Sequence, residues 1–167
     1  METDYRISNQ DLGVSGSYFG VNKTFGGLIN FMPSDDRVQS GKINTLTLIY
    51  SGSSFSGSVD FLFLNASASS VGLVQGGIDG GSQFTMSFAD TKNILSNVRI
   101  NTTSSEGPNY AKIGSHSVTS VRNLNIPFNC DSLYLVSAFQ ATNASTSSFA
   151  SGSVWVSVGY ELGQSHP

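Results

Sequence analysis

Charge is what this chain has least of. Only 11% of its 167 residues are Asp, Glu, Lys or Arg, against about a quarter in an ordinary globular domain. Eight basic residues and a net charge of -3 exclude a protein that grips a phosphate backbone by counterion release, which takes clustered Lys and Arg. Nucleic acid is therefore not expected as a direct partner. A single cysteine, Cys130, cannot close an intrachain disulfide, so the fold must stand on packing rather than on covalent staples. The two histidines, His116 and His166, are too few for a histidine-built zinc centre. No apolar run approaches the roughly 18 residues of a membrane helix, and residues 1–10 lack the basic-then-apolar order of a signal peptide. No membrane partner is expected. The four prolines are scattered, and neither a charge block nor a fixed-period repeat appears. The expectation is one domain over residues 1–167, with a loose tail at 163–167.

Hydroxyl groups are abundant instead: Ser and Thr make up about a quarter of the chain, so the surface is polar but electrically quiet. The dominant period is two, the mark of strands with one wet and one buried face. Near the C-terminus Val154, Val156, Val158, Tyr160 and Leu162 share one face, and Ser153, Trp155, Ser157, Gly159 and Glu161 share the other. Leu46, Leu48 and Tyr50 alternate with Thr45, Thr47 and Ile49, and Phe84, Met86 and Phe88 alternate with Gln83, Thr85 and Ser87. Residues 59–64 and 133–139 are apolar on both faces, as strands covered on both sides would be. Weaker strand patterns at 17–21, 27–31, 71–74, 98–101 and 117–121 bring the total to roughly nine or ten. Helix is scarce: residues 90–97, capped by Asp90 and docked by Ile94 and Leu95, are the one candidate. The fold class is all-β, an antiparallel two-sheet sandwich of jelly-roll type.

Catalytic chemistry has little to draw on. His116 could be paired with a serine and with Asp79 or Asp90, but no Gly-x-Ser-x-Gly elbow is present. The residue reads as a surface histidine, and the chain as no enzyme. Cys130, just before an apolar strand, reads as a small buried residue. Residues 76–81, a glycine run with one Asp, lack the Gly-Lys-Ser/Thr of a phosphate cradle. No cofactor is expected, with calcium as the one ion to consider. Asp35, Asp36, Asp60, Asp79, Asp90 and Asp131 are hard oxygen ligands in loop-like contexts, of which Asp35, Asp36 and Asp79 are the candidates; solvated loop acids are the competing reading. Four sequons, at Asn22, Asn65, Asn101 and Asn143, are about the number chance yields in a chain this rich in Asn, Ser and Thr. Aromatics outside the core alternation are more telling. Trp155, Tyr18, Phe149 and Tyr110 are the candidate contact residues, for sugar rings or for another protein surface.

The closing stretch 152–162, GSVWVSVGYEL, resembles the last strand of the single jelly-roll coat proteins of small icosahedral RNA viruses. Residues 126–139, IPFNCDSLYLVSAF, are similar to the preceding strand with its entry loop, and the Ser/Thr-rich connection between the two also fits. The resemblance implies a structural subunit of a shell or a surface projection, located in the virion, with itself as partner and no catalytic residues to carry over. One departure is clear: residues 1–21 hold a single basic residue, Arg6, where such coats usually carry a basic arm for packaged RNA. A projecting domain, an arm-less subunit or a fibre head fits better than direct genome packaging. The alternative is a carbohydrate-binding module or lectin on the same sandwich, with a host glycan or receptor as partner. Low charge at the sheet edges also favours copies of the chain covering one another.

Overall fold

The computed structural model describes residues 4–12, 26–32, 37–51, 57–68, 85–101, 110–113, 116–142 and 154–163. The described residues form ten strands and one helical turn: β1 (Asp4–Asp11), β2 (Ile29–Met32), β3 (Gln39–Ser51), β4 (Gly57–Leu64), α1 (Phe88–Thr91), β5 (Ile94–Asn101), β6 (Tyr110–Ile113), β7 (His116–Val121), β8 (Ile126–Cys130), β9 (Leu133–Thr142) and β10 (Val154–Leu162). All pairings are antiparallel. The first sheet runs β1-β10-β3-β7-β6, with β8 beside the first half of β3, and the second runs β2-β9-β4-β5. Since β7 and β8 share β3, they act as one interrupted strand. The chain then passes from sheet to sheet at every connection except the β4–β5 and β6–β7 hairpins, which is the jelly-roll arrangement.

The interruption has a visible cause. Gly159 pairs with Thr45 and Tyr160 with Ile43, so Asn44 is an extra residue, a bulge in β3. The bulge lets Ile43 and Leu46, three positions apart, both point into the core, where neither is exposed. Opposite it, Asn123 and Asn125 adopt positive φ, 58° and 51°, a conformation asparagine tolerates better than most side chains. The Leu124 N–H then donates to the Asn44 carbonyl at 3.0 Å, using an acceptor the bulge takes out of the ladder.

Between the sheets, Ile43, Leu46, Leu48, Val154, Val156 and Val158 meet Phe31, Val59, Phe61, Phe63, Leu133 and Leu135. Each such side chain contributes about 1.5–3 kcal/mol by leaving water. Phe31 stands edge-on to Phe63 and to Tyr160, with centroids 5.8 and 6.0 Å apart. A smaller cluster lies on the other face of the second sheet, where Leu64, Ala68 and Val136 are buried with Leu62, Ile94, Tyr134, Met86 and Leu28 around them. The two-sided apolar runs 59–64 and 133–139 are thus the central strands of that sheet, covered on both sides as expected.

Two local expectations fail. Residues 83–88 do not extend as a strand over their described part: residues 85–87 are irregular, and Phe88 opens α1 with 81% of its surface exposed. The cause is Ser87, whose extended backbone and side-chain oxygen cap the turn by accepting from the Asp90 N–H at 3.1 Å. The helix expected at 90–97 is one turn long and ends at Thr91; from Ile94 the chain is strand. Pairing with β4 overrides local propensity there. It also uses both neighbours, with Leu95 packed on the main core and Ile94 on the smaller cluster.

Candidate functional site

Among the described residues, the largest concentration of exposed apolar side chains is on the outward face of the first sheet. Register sets its layout. Even-numbered residues of β10 point into the core, so Trp155, Ser157, Gly159 and Glu161 point out, together with Asp11, Asn9, Ile7 and Tyr5 opposite them on β1. Across β10 the same rows continue into β3 and β7. Trp155 is opposite Ile49, which is opposite Val118; Ser157 is opposite Thr47, which is opposite Ser120. An apolar row and a hydroxyl row therefore run side by side, the second tied by a 2.9 Å hydrogen bond between the Thr47 and Ser120 hydroxyls. Of the five large apolar side chains exposed among the described residues, Tyr5 (50%), Ile7 (61%) and Trp155 (41%) belong to this face.

Gly159 makes the next row possible. A Cβ there would strike the Tyr5 ring and the Thr45 hydroxyl, so the glycine lets Tyr5 lie back across the sheet, with its hydroxyl 3.3 Å from Thr45 Oγ1. The last row sets Glu161 opposite Lys42, an opposite-charge pairing that favours the register. On its other side β1 carries an ion pair. The Arg6 Nε and Nη2 both donate to Asp4 Oδ2, at 2.9 and 2.8 Å, and this carboxylate raises the guanidinium pKa. Arg6 is also opposite Tyr160. Burial raises the Tyr160 pKa, and Arg6 partly offsets the rise.

Of the contact residues expected from sequence, Trp155 is on the surface, on the face opposite the valine stripe. Tyr110 begins β6, but its side chain lies outside the described residues, as do Tyr18, Phe149, Asp35, Asp36 and Asp79 altogether. Among the described residues no group of three or more His, Cys, Asp or Glu could hold a metal. Asp60 is engaged: its two oxygens accept from Arg99 Nε and Nη2 at 2.7 and 2.9 Å. Asp131 accepts from the Ser132 hydroxyl at 3.0 Å. His116 and Asp90 do not meet as an acid–base pair. His116 opens β7 on the outward face, opposite Ser51, whereas Asp90 is buried in α1, just before β5 of the other sheet. Cys130 is buried, and burial pushes its thiol pKa up, the reverse of what a nucleophile needs.

Sequence reasoning missed Tyr5 and Ile7. The only available signal was a two-residue alternation with polar residues on both sides, which does not distinguish an edge strand from a loop.

No protein-family model matches this chain, and no curated protein matches it. Similar solved structures include one of Desmodium yellow mottle tymovirus, with a TM-score of 0.34 and 8% identity, the match covering 100% of this chain and 87% of that one. Another is a full particle of Israeli acute paralysis virus heated to 63 degrees, with a TM-score of 0.28 and 8% identity, covering 96% and 68%. The likeness is a loose, viral capsid-like fold match and carries no residue correspondence.

Proposed function

We propose that this chain is a non-enzymatic viral structural protein, a capsid or capsid-projection subunit of the virion that self-assembles through the faces and edges of its sandwich. The observation that carries the reading is the outward face of the first sheet, where Tyr5, Ile7 and Trp155 stand exposed on a surface with few charges. Exposed aromatic and aliphatic side chains interspersed with hydroxyls on a weakly charged sheet favour a protein contact. The jelly-roll order supports a role of this kind without fixing it, since the same architecture serves shells and lectins. The carbohydrate-binding alternative has one specific support, the exposed indole of Trp155 beside the row Asn9, Ser157, Thr47 and Ser120. A sugar ring stacks on such an indole while its hydroxyls meet amide and hydroxyl groups. In either case direct nucleic-acid binding is not proposed, and calcium is a subject for the test.

Light scattering on a sizing column, with and without a calcium chelator, separates the readings, and electron microscopy of the same fractions identifies any particle. A closed particle or a small symmetric oligomer is the expected result. A protein that remains a monomer at high concentration while binding glycans on an array overturns it in favour of the lectin.

A further inference from the structure

β1, the terminal strand of the first sheet among the described residues, has a feature that the face alone does not explain. Leu12 N–H donates to the Val154 carbonyl at 3.0 Å, and Gly163 N–H donates to the Ser40 carbonyl at 2.8 Å. Hydrogen bonds in an antiparallel ladder alternate residue by residue, and β1 pairs with β10 without a register shift. Asp4, Arg6, Ser8 and Gln10 therefore bond inward to β10. The backbone N–H and C=O groups of Tyr5, Ile7 and Asn9 point away from it, toward the edge, and β1 is the terminal strand of the sheet among the described residues.

We infer that β1 pairs with β1 of a second copy of this chain, antiparallel, about a two-fold axis perpendicular to the sheet at Ile7. The inference rests on the self-assembly reading and names its contact. Such an axis places Ile7 opposite Ile7, Tyr5 opposite Asn9, Arg6 opposite Ser8 and Asp4 opposite Gln10. Every outward-pointing backbone group of these three odd residues then meets its counterpart, and no like charges face one another. Other axes do worse. Centring on Asp4, Arg6 or Asp11 sets two like charges directly opposite, which is destabilising. Centring on Tyr5 pairs only residues 4–6 of the strand. Centring on Ser8 or Asn9 places the exposed Ile7 against Asn9 or Asp11 instead of against another isoleucine. The Ile7 axis alone both avoids repulsion and buries the side chain that is 61% exposed in the single chain. It also joins the two outward faces into one continuous sheet, an isologous contact that closes on itself.

The register makes the test specific. Ile7→Pro removes an N–H that β10 does not use, a substitution an edge strand accepts on its open side, so the subunit should fold while its self-association weakens by at least about tenfold. Sedimentation equilibrium of the full chain measures this. The second arm does not depend on proline being tolerated. In a Cys130→Ala background, Ile7→Cys should form a disulfide-linked dimer on mild oxidation, because directly opposite hydrogen-bonded residues have Cα atoms about 5.5 Å apart. Ser8→Cys should not, since a two-residue offset at about 3.4 Å per residue and a strand spacing of about 4.8 Å separates its Cα atoms by about 8 Å. Oligomers that persist unchanged in Ile7→Pro, or crosslinking through Ser8→Cys and not Ile7→Cys, overturn the contact and leave self-assembly standing. A wild-type chain that never associates overturns both.

Discussion

The two sheets treat their outward faces differently. On the second sheet Val136 and Leu64 point away from the main core and are nevertheless buried, because residues 65–68 and 85–86 pack against them and contribute Ala68 and Met86. On the first sheet the corresponding face carries Trp155, Ile7 and Tyr5 in the open. Both faces hold apolar side chains, so hydrophobicity at a position does not say whether its own chain covers it. What differs is the neighbourhood. The second sheet's central strands, β4 and β9, are apolar on both sides, whereas β10 and β3 alternate and intersperse the exposed apolar residues with Ser157, Thr47 and Thr45. A face mixed in this way can remain wet in a free subunit and still be covered when a partner arrives.

Substitutions can break or sharpen that contrast. The largest effect belongs to the layer that both sheets share. Phe61 is fully buried between them, and Phe61→Ala should cost about 3–5 kcal/mol in urea unfolding, through lost burial and the cavity left behind. Next comes a matched pair on the two outward faces. Val136→Ala, on the covered face, should cost about 2 kcal/mol by the area it withdraws from packing, while Ile49→Ala, on the open face, should cost less than about 1 kcal/mol. Equal losses in the unassociated subunit would mean that the two faces are covered alike.

What the sequence discloses of this fold follows the same contrast. The stripe Val154, Val156 and Val158 and the two-sided runs 59–64 and 133–139 are legible because burial there is decided by sheet packing, which imposes period two or continuous apolarity. Trp155 is legible for the same reason, as the odd residue on the other side of a clean alternation. β1 is not. Its inward positions Asp4, Arg6, Ser8 and Gln10 are polar and only Tyr5 and Ile7 alternate with them, too short a run to mark a strand, and its edge role comes only from pairing with β10. Residues 84–88 mislead in the opposite way, with apolar residues every second position and a capping serine that decides the backbone instead. The bulge at Asn44 was readable in principle, from the odd spacing between Ile43 and Leu46. Nothing local says that β7 and β8 break opposite it.

A smaller effect tests how the open face is fitted together. Gly159→Ala places a methyl where the Tyr5 ring and the Thr45 hydroxyl already meet, and the movable end of Tyr5 gives way more easily than backbone would. The expected cost is about 1 kcal/mol. In a Tyr5→Ala background the same change should cost less, since only the Thr45 hydroxyl remains to be displaced, and a double-mutant cycle in denaturant measures the difference. Additive costs would show that Gly159 is required for some reason other than Tyr5.

The smallest effect probes the inner side of the first sheet, at its rim. Cys130 ends β8 with its thiol turned in, and burial holds the thiol pKa above its ordinary value of 9.0, with Asp131 adding to the rise. The folded state thus binds this proton more tightly than the unfolded chain does. The stability associated with it is complete below the unfolded value near 9.0 and is lost as pH rises through the higher folded value. Thermal midpoints should accordingly fall on the alkaline side of that pH, and Cys130→Ala should flatten the part of the fall due to the thiol. A thiol reagent at neutral pH should leave Cys130 largely unmodified, yet label Ile7→Cys promptly under conditions where the protein is dissociated. Rapid labelling of Cys130 in the native protein would mean that the inner side of the sheet opens readily at its rim, and the distinction between a sealed interior and an exposed outer face would no longer hold there.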